Sequence, residues 1–204
     1  PPKEPKRLPT KVMTKTETKM MLEATTNPLD KLLLMLMYSC SLRRSELVGL
    51  KLNDVDSKQG LLMVRAGKTN RERLVPIGEK PLELLLSYVN EIRPVQFQSP
   101  YLFLDDQGKI IKTHYVYELV KGLRRATAIR TRATPHSFRK SSATHMLSNG
   151  ASLIEVKRLL GHVNAKSTEV YTKVYPQDIE KMMAQHHPRE RIKNLGHLLL
   201  EKPI

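Results

Sequence analysis

"TPHSFRKSSATHMLSNGASLIEVKRLLGHVNAKSTEVYTKV", residues 134–174, decides how the chain is read. Its first part, "HSFRKSSATHML" (136–147), has helical spacing and closes on Asn149-Gly150, a C-cap signal. "SLIEVKRLLG" (152–161) follows as a second helix, with Ser152 as N-cap and Gly161 as stop. Next, "GHVNAKSTEVYTKV" (161–174) sets His162 and Tyr171 nine positions apart in a polar, helix-like run. Taken alone, Tyr171 is an ordinary half-buried helical aromatic. Only the rest of the chain can make it a nucleophile.

Outward from this stretch the pattern stays mostly helical. Upstream, "TKTETKMMLEAT" (14–25) is a helix with Thr14 as N-cap and Glu17 completing a capping box. Asn27-Pro28 breaks it, and a strongly apolar helix runs through about 29–40, buried on most sides. "RRSELVGLKL" (43–52) is a short amphipathic turn or helix ending at "NDVD". "LLMVRA" (61–66) and "ERLVPI" (72–77) flank "GKTNR" and predict a β-hairpin with Gly67 and Lys68 at its tip. Helical spacing returns over 81–92, and "YLFLD" (101–105) with "KII" (109–111) around Gly108 suggests a third strand and its return. A helix over 114–129 precedes the opening stretch, and one over 176–187 follows it, with Pro176 at its N-terminus. The expected fold is mainly α with a small antiparallel β-sheet (α+β).

The 204 residues suffice for one substantial domain with a real core. Thirty-five Lys and Arg against twenty Asp and Glu leave +15, with a sequence pI near 10.0. That excess favours an anionic partner, most often nucleic acid. The single cysteine, Cys40, excludes an internal disulfide and fits a reducing compartment. The expected location is cytoplasmic, at the nucleoid. No apolar run approaches the roughly 18–20 residues of a membrane span, so no membrane partner is expected. Residues 1–12, opening "PPKEPKRLPTK", form a basic, proline-broken linker without the apolar core of a signal peptide, as if cut from something longer.

Several chemistries are set aside. The chain has no Walker-type loop, no GxGxxG, no CxxC and no HExxH-like histidine pair; His186-His187 reads as a surface doublet. Its acidic residues do not cluster as two-metal nucleases need, so no metal and no cofactor are expected. Chemistry on phosphate would then fall to cationic side chains. "SLRRSEL" (41–47) places Arg43 at a helix start with Glu46 three residues on, where a carboxylate can hold a phosphate-binding guanidinium or merely pair with it. "HSFR" sets His136 and Arg139 at i and i+3, one able to exchange a proton while the other holds phosphate.

Read in order, "YSCSLRRSELVGLKLNDVD", "AGKTNRERLVPI" and residues 134–174 resemble the catalytic domain of the tyrosine recombinase (phage integrase) family, Xer-like in flavour, over about 8–187. The resemblance implies roles for seven residues. Arg43 and Arg139 become the catalytic arginines, and Glu46 supports the first. Lys68 is the general acid for the leaving 5′-oxygen. His136 opens the H-x-x-R box, His162 hydrogen-bonds the scissile phosphate, and Tyr171 is the nucleophile. It implies site-specific DNA recombination through a 3′-phosphotyrosine, in integration, excision or resolution. Alternatives are a type IB topoisomerase-like or telomere-resolving nicking-closing enzyme, and a DNA-binding relative without catalysis, against which the intact residue set argues.

The same resemblance frames the domain plan: linker 1–12, catalytic domain 13–187 and tail 188–204, the tail exchanged between protomers or folded back in cis. Family members usually carry an N-terminal helical domain, so the chain is expected to be a catalytic fragment or a short natural variant. Double-stranded DNA is the implied partner, with self-association into a tetrameric synapse. Arg44, Lys121, Arg124, Arg125, Arg130, Arg132 and Lys140 are expected at its phosphates. Three departures stand out. Ser41 replaces the usual Gly before Leu-Arg, which questions a positive-φ turn there. After the second arginine, Lys140 replaces a common His and Ser142 a usual aromatic, so altered packing is expected.

Overall fold

The computed structural model describes residues 12–65, 72–94, 96–161 and 182–187. Lys68, His162, Tyr171, Pro176 and the segments 1–11 and 188–204 lie outside the described residues. Helix α1 spans Lys15–Glu23 behind the expected capping box: the Glu17 N–H donates to Thr14 Oγ1 at 3.0 Å, and the Thr14 N–H to Glu17 Oε2 at 2.8 Å. Asn27 and Pro28 do more than end it. Asn27 Oδ1 accepts from the N–H groups of Leu29 and Asp30 and so caps α2 (Pro28–Ser39), with Pro28 at its first position, where no N–H is needed.

Helix α2 forms the centre of the core. Leu32, Leu33, Leu34, Leu36 and Met37 are fully buried, because α1 and the later helices α4 (Glu79–Ser87) and α6 (Pro135–Ser148) pack around it. Each such side chain stabilises the fold by about 1.5–3 kcal/mol relative to exposure. Helix α3 is short, Arg44–Val48; it does not run on to residue 52, since a separate 3-10 turn occupies Leu52–Asp54.

The sheet is antiparallel, ordered β1-β2-β3: β1 Val55–Asp56, β2 Leu61–Val64 and β3 Arg73–Pro76. Strands β2 and β3 pair Leu62 with Val75 and Val64 with Arg73, as the hairpin requires. The third strand is Val55–Asp56 rather than 101–105. Residues 101–111 make only isolated bridges, Lys51 with Tyr101 and Leu104 with Ile110. Leu102, Phe103 and Leu104 are apolar because they are buried, and not because they belong to a ladder. Helix α4 (Glu79–Ser87) leads into a π-helical turn over Tyr88–Ile92. Helix α5 (Thr113–Thr127) packs on α1, α3 and α6. Helices α6 (Pro135–Ser148) and α7 (Leu153–Leu160) follow, with Ser152 accepting from Glu155 N–H as the α7 cap. Among the described residues, no helix is long and apolar enough to cross a membrane.

Both ends of the described core meet at one buried polar knot. The His145 ring on α6 donates from Nε2 to Met13 O at 2.9 Å, leaving Nδ1 to accept from the Tyr38 hydroxyl at 2.8 Å. The Tyr38 ring lies edge-on to His187, centroids 5.0 Å apart. His187 is thus buried, not a surface residue: residues 182–186 are helical and bring it under α2. His186 is held as well, its Nδ1 against Asn149 O at 2.9 Å.

Candidate active site

The structure brings together Arg43, Glu46 and Arg139 from two segments almost a hundred residues apart. Arg43 is the residue before the first turn of α3, and its backbone N–H donates to Glu46 Oε2 at 2.9 Å while Nη1 donates to Oε1 at 2.9 Å. The carboxylate thereby fixes both the backbone and the guanidinium of Arg43. The Arg43 side chain remains 27% exposed, and among the described residues its Nε and Nη2 make no hydrogen bond. Those donors are open to an anion.

Arg139, on the second turn of α6, is 2% exposed. Its Nη1 donates to Ser41 O and approaches Glu46 Oε2 at 3.5 Å, and Nη2 donates to Leu160 O. Burial, together with the nearby Arg43 and Arg73 charges, pushes this guanidinium down to about 9 despite the favourable Glu46 charge, so it stays protonated at neutral pH. His136 is exposed on the first turn of the same helix. The i, i+3 spacing therefore separates a surface imidazole from a buried charge.

Sequence reasoning missed Arg73. It sits on β3 and clamps Glu46 with two bonds, Nη1 to Oε1 at 3.1 Å and Nη2 to Oε2 at 2.9 Å, while Nε donates to Leu159 O at 2.8 Å. Its side chain is only 8% exposed. The available signal was strand parity: Arg73 lies two residues from Val75, which is fully buried, and so shares its inward face. Burial works against the Glu46 charge, but hydrogen bonds and charge from Arg73, the Arg43 N–H and the Arg139 charge outweigh it and hold the carboxyl below its ordinary range.

Two guanidiniums also finish helix α7. The last carbonyls of a helix lack intrahelical donors and carry the negative end of its dipole. Here Arg73 takes Leu159 O and Arg139 takes Leu160 O, just before Gly161 turns the chain at φ 63. The end of α7, from which the sequence continues to His162, is held by the same cluster.

Ser41 keeps the positive-φ turn that its identity called into question, with φ 51. Its hydroxyl meets that of Ser142 at 2.8 Å, so two of the three departures from the family pattern touch each other. This turn leaves Ser41 O facing Arg139. Of the residues expected at DNA phosphates, Arg44, Arg125, Arg130, Arg132 and Lys140 are exposed, and Arg124 is half-buried. Lys121 is engaged within α5, bonded to Glu118 at 3.1 Å and lying over the Tyr117 ring. Among the described residues, no group of three or more His, Cys, Asp or Glu is placed to hold a metal ion.

Residues 11–178 match the sequence profile described as the Phage integrase family. The chain belongs to the phage integrase family. It is 37% identical over 163 residues to the tyrosine recombinase XerD of Staphylococcus epidermidis, an alignment covering 78% of this chain and 55% of that protein. To the tyrosine recombinase XerD of Listeria innocua it is 33% identical over 197 residues, covering 92% of this chain and 66% of the relative. The chain thus spans between about half and two thirds of the length of these relatives. Among solved structures, the XerA recombinase superposes with a TM-score of 0.71 at 27% identity, covering 91% of this chain and 68% of that one. The integrase of mycobacterium phage Brujita, at 22% identity, shares the fold with a TM-score of 0.70, covering 98% and 66%. The mainly helical architecture with a small antiparallel sheet is therefore that of a phage integrase family catalytic domain.

Proposed function

We propose that this chain is the catalytic part of a site-specific DNA recombinase that cuts and rejoins strands through a 3′-phosphotyrosine on Tyr171. The observation that carries the reading is the partly open Arg43 guanidinium held by a buried carboxylate beside a second, buried arginine. Such a cluster suits a phosphate that gains negative charge in its transition state, because fixed charges in a water-poor site need no reorganisation. The relatives named tyrosine recombinases, and the XerH recombinase solved on its difH substrate, support DNA as the substrate.

In this mechanism the Tyr171 phenol attacks the scissile phosphorus and loses its proton. The bond from phosphorus to the 5′-oxygen breaks, and Lys68 protonates that oxygen. Arg43 bonds non-bridging phosphate oxygens with its open donors, and Arg139 adds its charge from a buried position, where low dielectric strengthens it. His136 and His162 complete the shell around the phosphate. The phosphodiester energy is kept in the protein–DNA bond, so a 5′-hydroxyl reseals the strand without ATP. Within the same reading, residues 13–187 form the catalytic domain, 1–12 a linker and 188–204 a tail exchanged between protomers on DNA, and the exposed arginines with Lys140 meet phosphates along the duplex. Such an enzyme works at the nucleoid.

The test is a duplex nicked beside candidate sites, incubated with the protein in chelator and run on a denaturing gel. A covalent band is expected with the native chain and absent with Tyr171→Phe, which still binds DNA. A band that survives Tyr171→Phe would overturn the nucleophile. Loss of the band in chelator would replace cationic side chains with a metal.

A further inference from the structure

The proposed mechanism uses Arg43, Glu46 and Arg139 and leaves Arg73 without a task. A buried arginine is costly unless fully paired, and among the described residues this one has two targets: both oxygens of Glu46 and the carbonyl of Leu159. A residue needed merely to join β3 to α7 would require no fork. The fork matters because of what else Glu46 touches. Oε1 is shared between Arg43 and Arg73, and Oε2 serves the Arg43 N–H, Arg73 and Arg139. With its plane fixed by Arg73, the carboxylate meets Arg43 through one guanidinium nitrogen. Freed from Arg73, it could turn to face Arg43 with both oxygens, the arrangement that arginine and carboxylate favour. That would occupy donors now open and draw the anion away from Arg139.

Charge points the same way. Among the described residues, three guanidiniums share one carboxylate, so these four side chains together keep two positive charges. Glu46 is then a common counter-ion rather than the private partner of Arg43. The position of Arg73 adds a further link. It lies on the strand that returns from the segment carrying Lys68, and its side chain lies against Gly161, where an added Cβ would meet Arg73 Cδ and Nη1 at 3.2 Å.

We propose that Arg73 is a positioning residue for strand cleavage: it holds Glu46 in the geometry shared by Arg43 and Arg139 and so keeps Arg43 available to the scissile phosphate. The inference rests on the recombinase reading above. It is tested by single-turnover cleavage of the nicked duplex, with DNA affinity and thermal melting measured on the same proteins. Arg73→Ala should cleave about 10–100-fold more slowly, the cost known for outer-shell partners that orient metal ligands, while DNA affinity changes by no more than about 2-fold. Arg73→Lys, able to reach only one oxygen, should fall between. In a Glu46→Gln background, Arg73→Ala should cost no more than about 2-fold further, because it acts through Glu46.

Equal costs in both backgrounds, or a folded Arg73→Ala that cleaves at the native rate, would overturn the proposal. So would a loss of DNA affinity as large as the loss of rate. Should Arg73→Ala fail to fold, Arg73→Lys decides: native-rate cleavage by that variant overturns the proposal, and slowed cleavage at unchanged affinity supports it. No covalent adduct with the native chain overturns the recombinase reading and this inference with it. An adduct indifferent to Arg73 overturns this inference alone.

Discussion

Replacing Glu46 with Gln separates the charge of the shared carboxylate from its shape. The amide keeps one acceptor oxygen but leaves Arg73 and Arg139, 8% and 2% exposed, without their anion. Removing one partner of a buried ion pair costs about 3–5 kcal/mol. The cost here lies toward the lower end, about 3 kcal/mol, because Arg73 retains Leu159 O, Arg139 retains Ser41 O and Leu160 O, and Arg43 is partly solvated. For a domain of this size, about 3 kcal/mol lowers Tm by about 6–12 °C. The effect has a pH signature. Glu46 is depressed in the folded state from its ordinary value of 4.5, so the unfolded chain takes up the proton first as pH falls. Its stabilising contribution is complete above 4.5 and is lost as pH drops through the lower folded value. Thermal melts of native protein and Glu46→Gln from neutral to acid pH should therefore converge below that point. A Tm difference under about 2 °C at neutral pH, or one that does not shrink in acid, would refute the shared-anion account.

Other expectations follow from neighbouring features. Gly161→Ala places a side chain at φ 63 and 3.2 Å from Arg73; it should lose about 1–2 kcal/mol in urea melts and slow cleavage. Ser41→Gly relieves a left-handed backbone but strands the buried Ser142 hydroxyl, so Ser41→Gly with Ser142→Ala should be the more stable of the two, by about 1 kcal/mol in the same melts. His145 is held below its ordinary value of 6.5 by burial, with the Lys15 charge adding to it and the Met13 bond opposing. The unfolded chain then binds the proton more readily, so native stability should fall as pH drops below 6.5, and His145→Gln should flatten that slope.

What could be read from the sequence was local. Thr14 with Glu17, Asn149 with Gly150, Ser152 and Gly161 each signal an end through groups within three or four residues. Arg43 and Glu46 were legible for the same reason, being one helical turn apart. For Arg73 only its inward face was signalled, by parity with Val75; its partner lies 27 residues away and left no local trace. Strand β1, two residues long, carries too little pattern to read, whereas buried Leu102–Leu104 imitates a strand without pairing as one. His187 looked like surface because the ring that covers it, Tyr38, is 149 residues distant in sequence.

The knot of Met13, Tyr38, His145 and His187 ties both ends of the described core to one helix. The chain arrives at residue 13 and leaves at residue 187 against the same rings, and Tyr38 belongs to the last turn of α2. Five residues further on stands Arg43, reached through the left-handed turn at Ser41. The rings that hold both ends of the described core thus also hold the helix that leads to this arginine, so a substitution in the knot is felt close to the site as well as in stability.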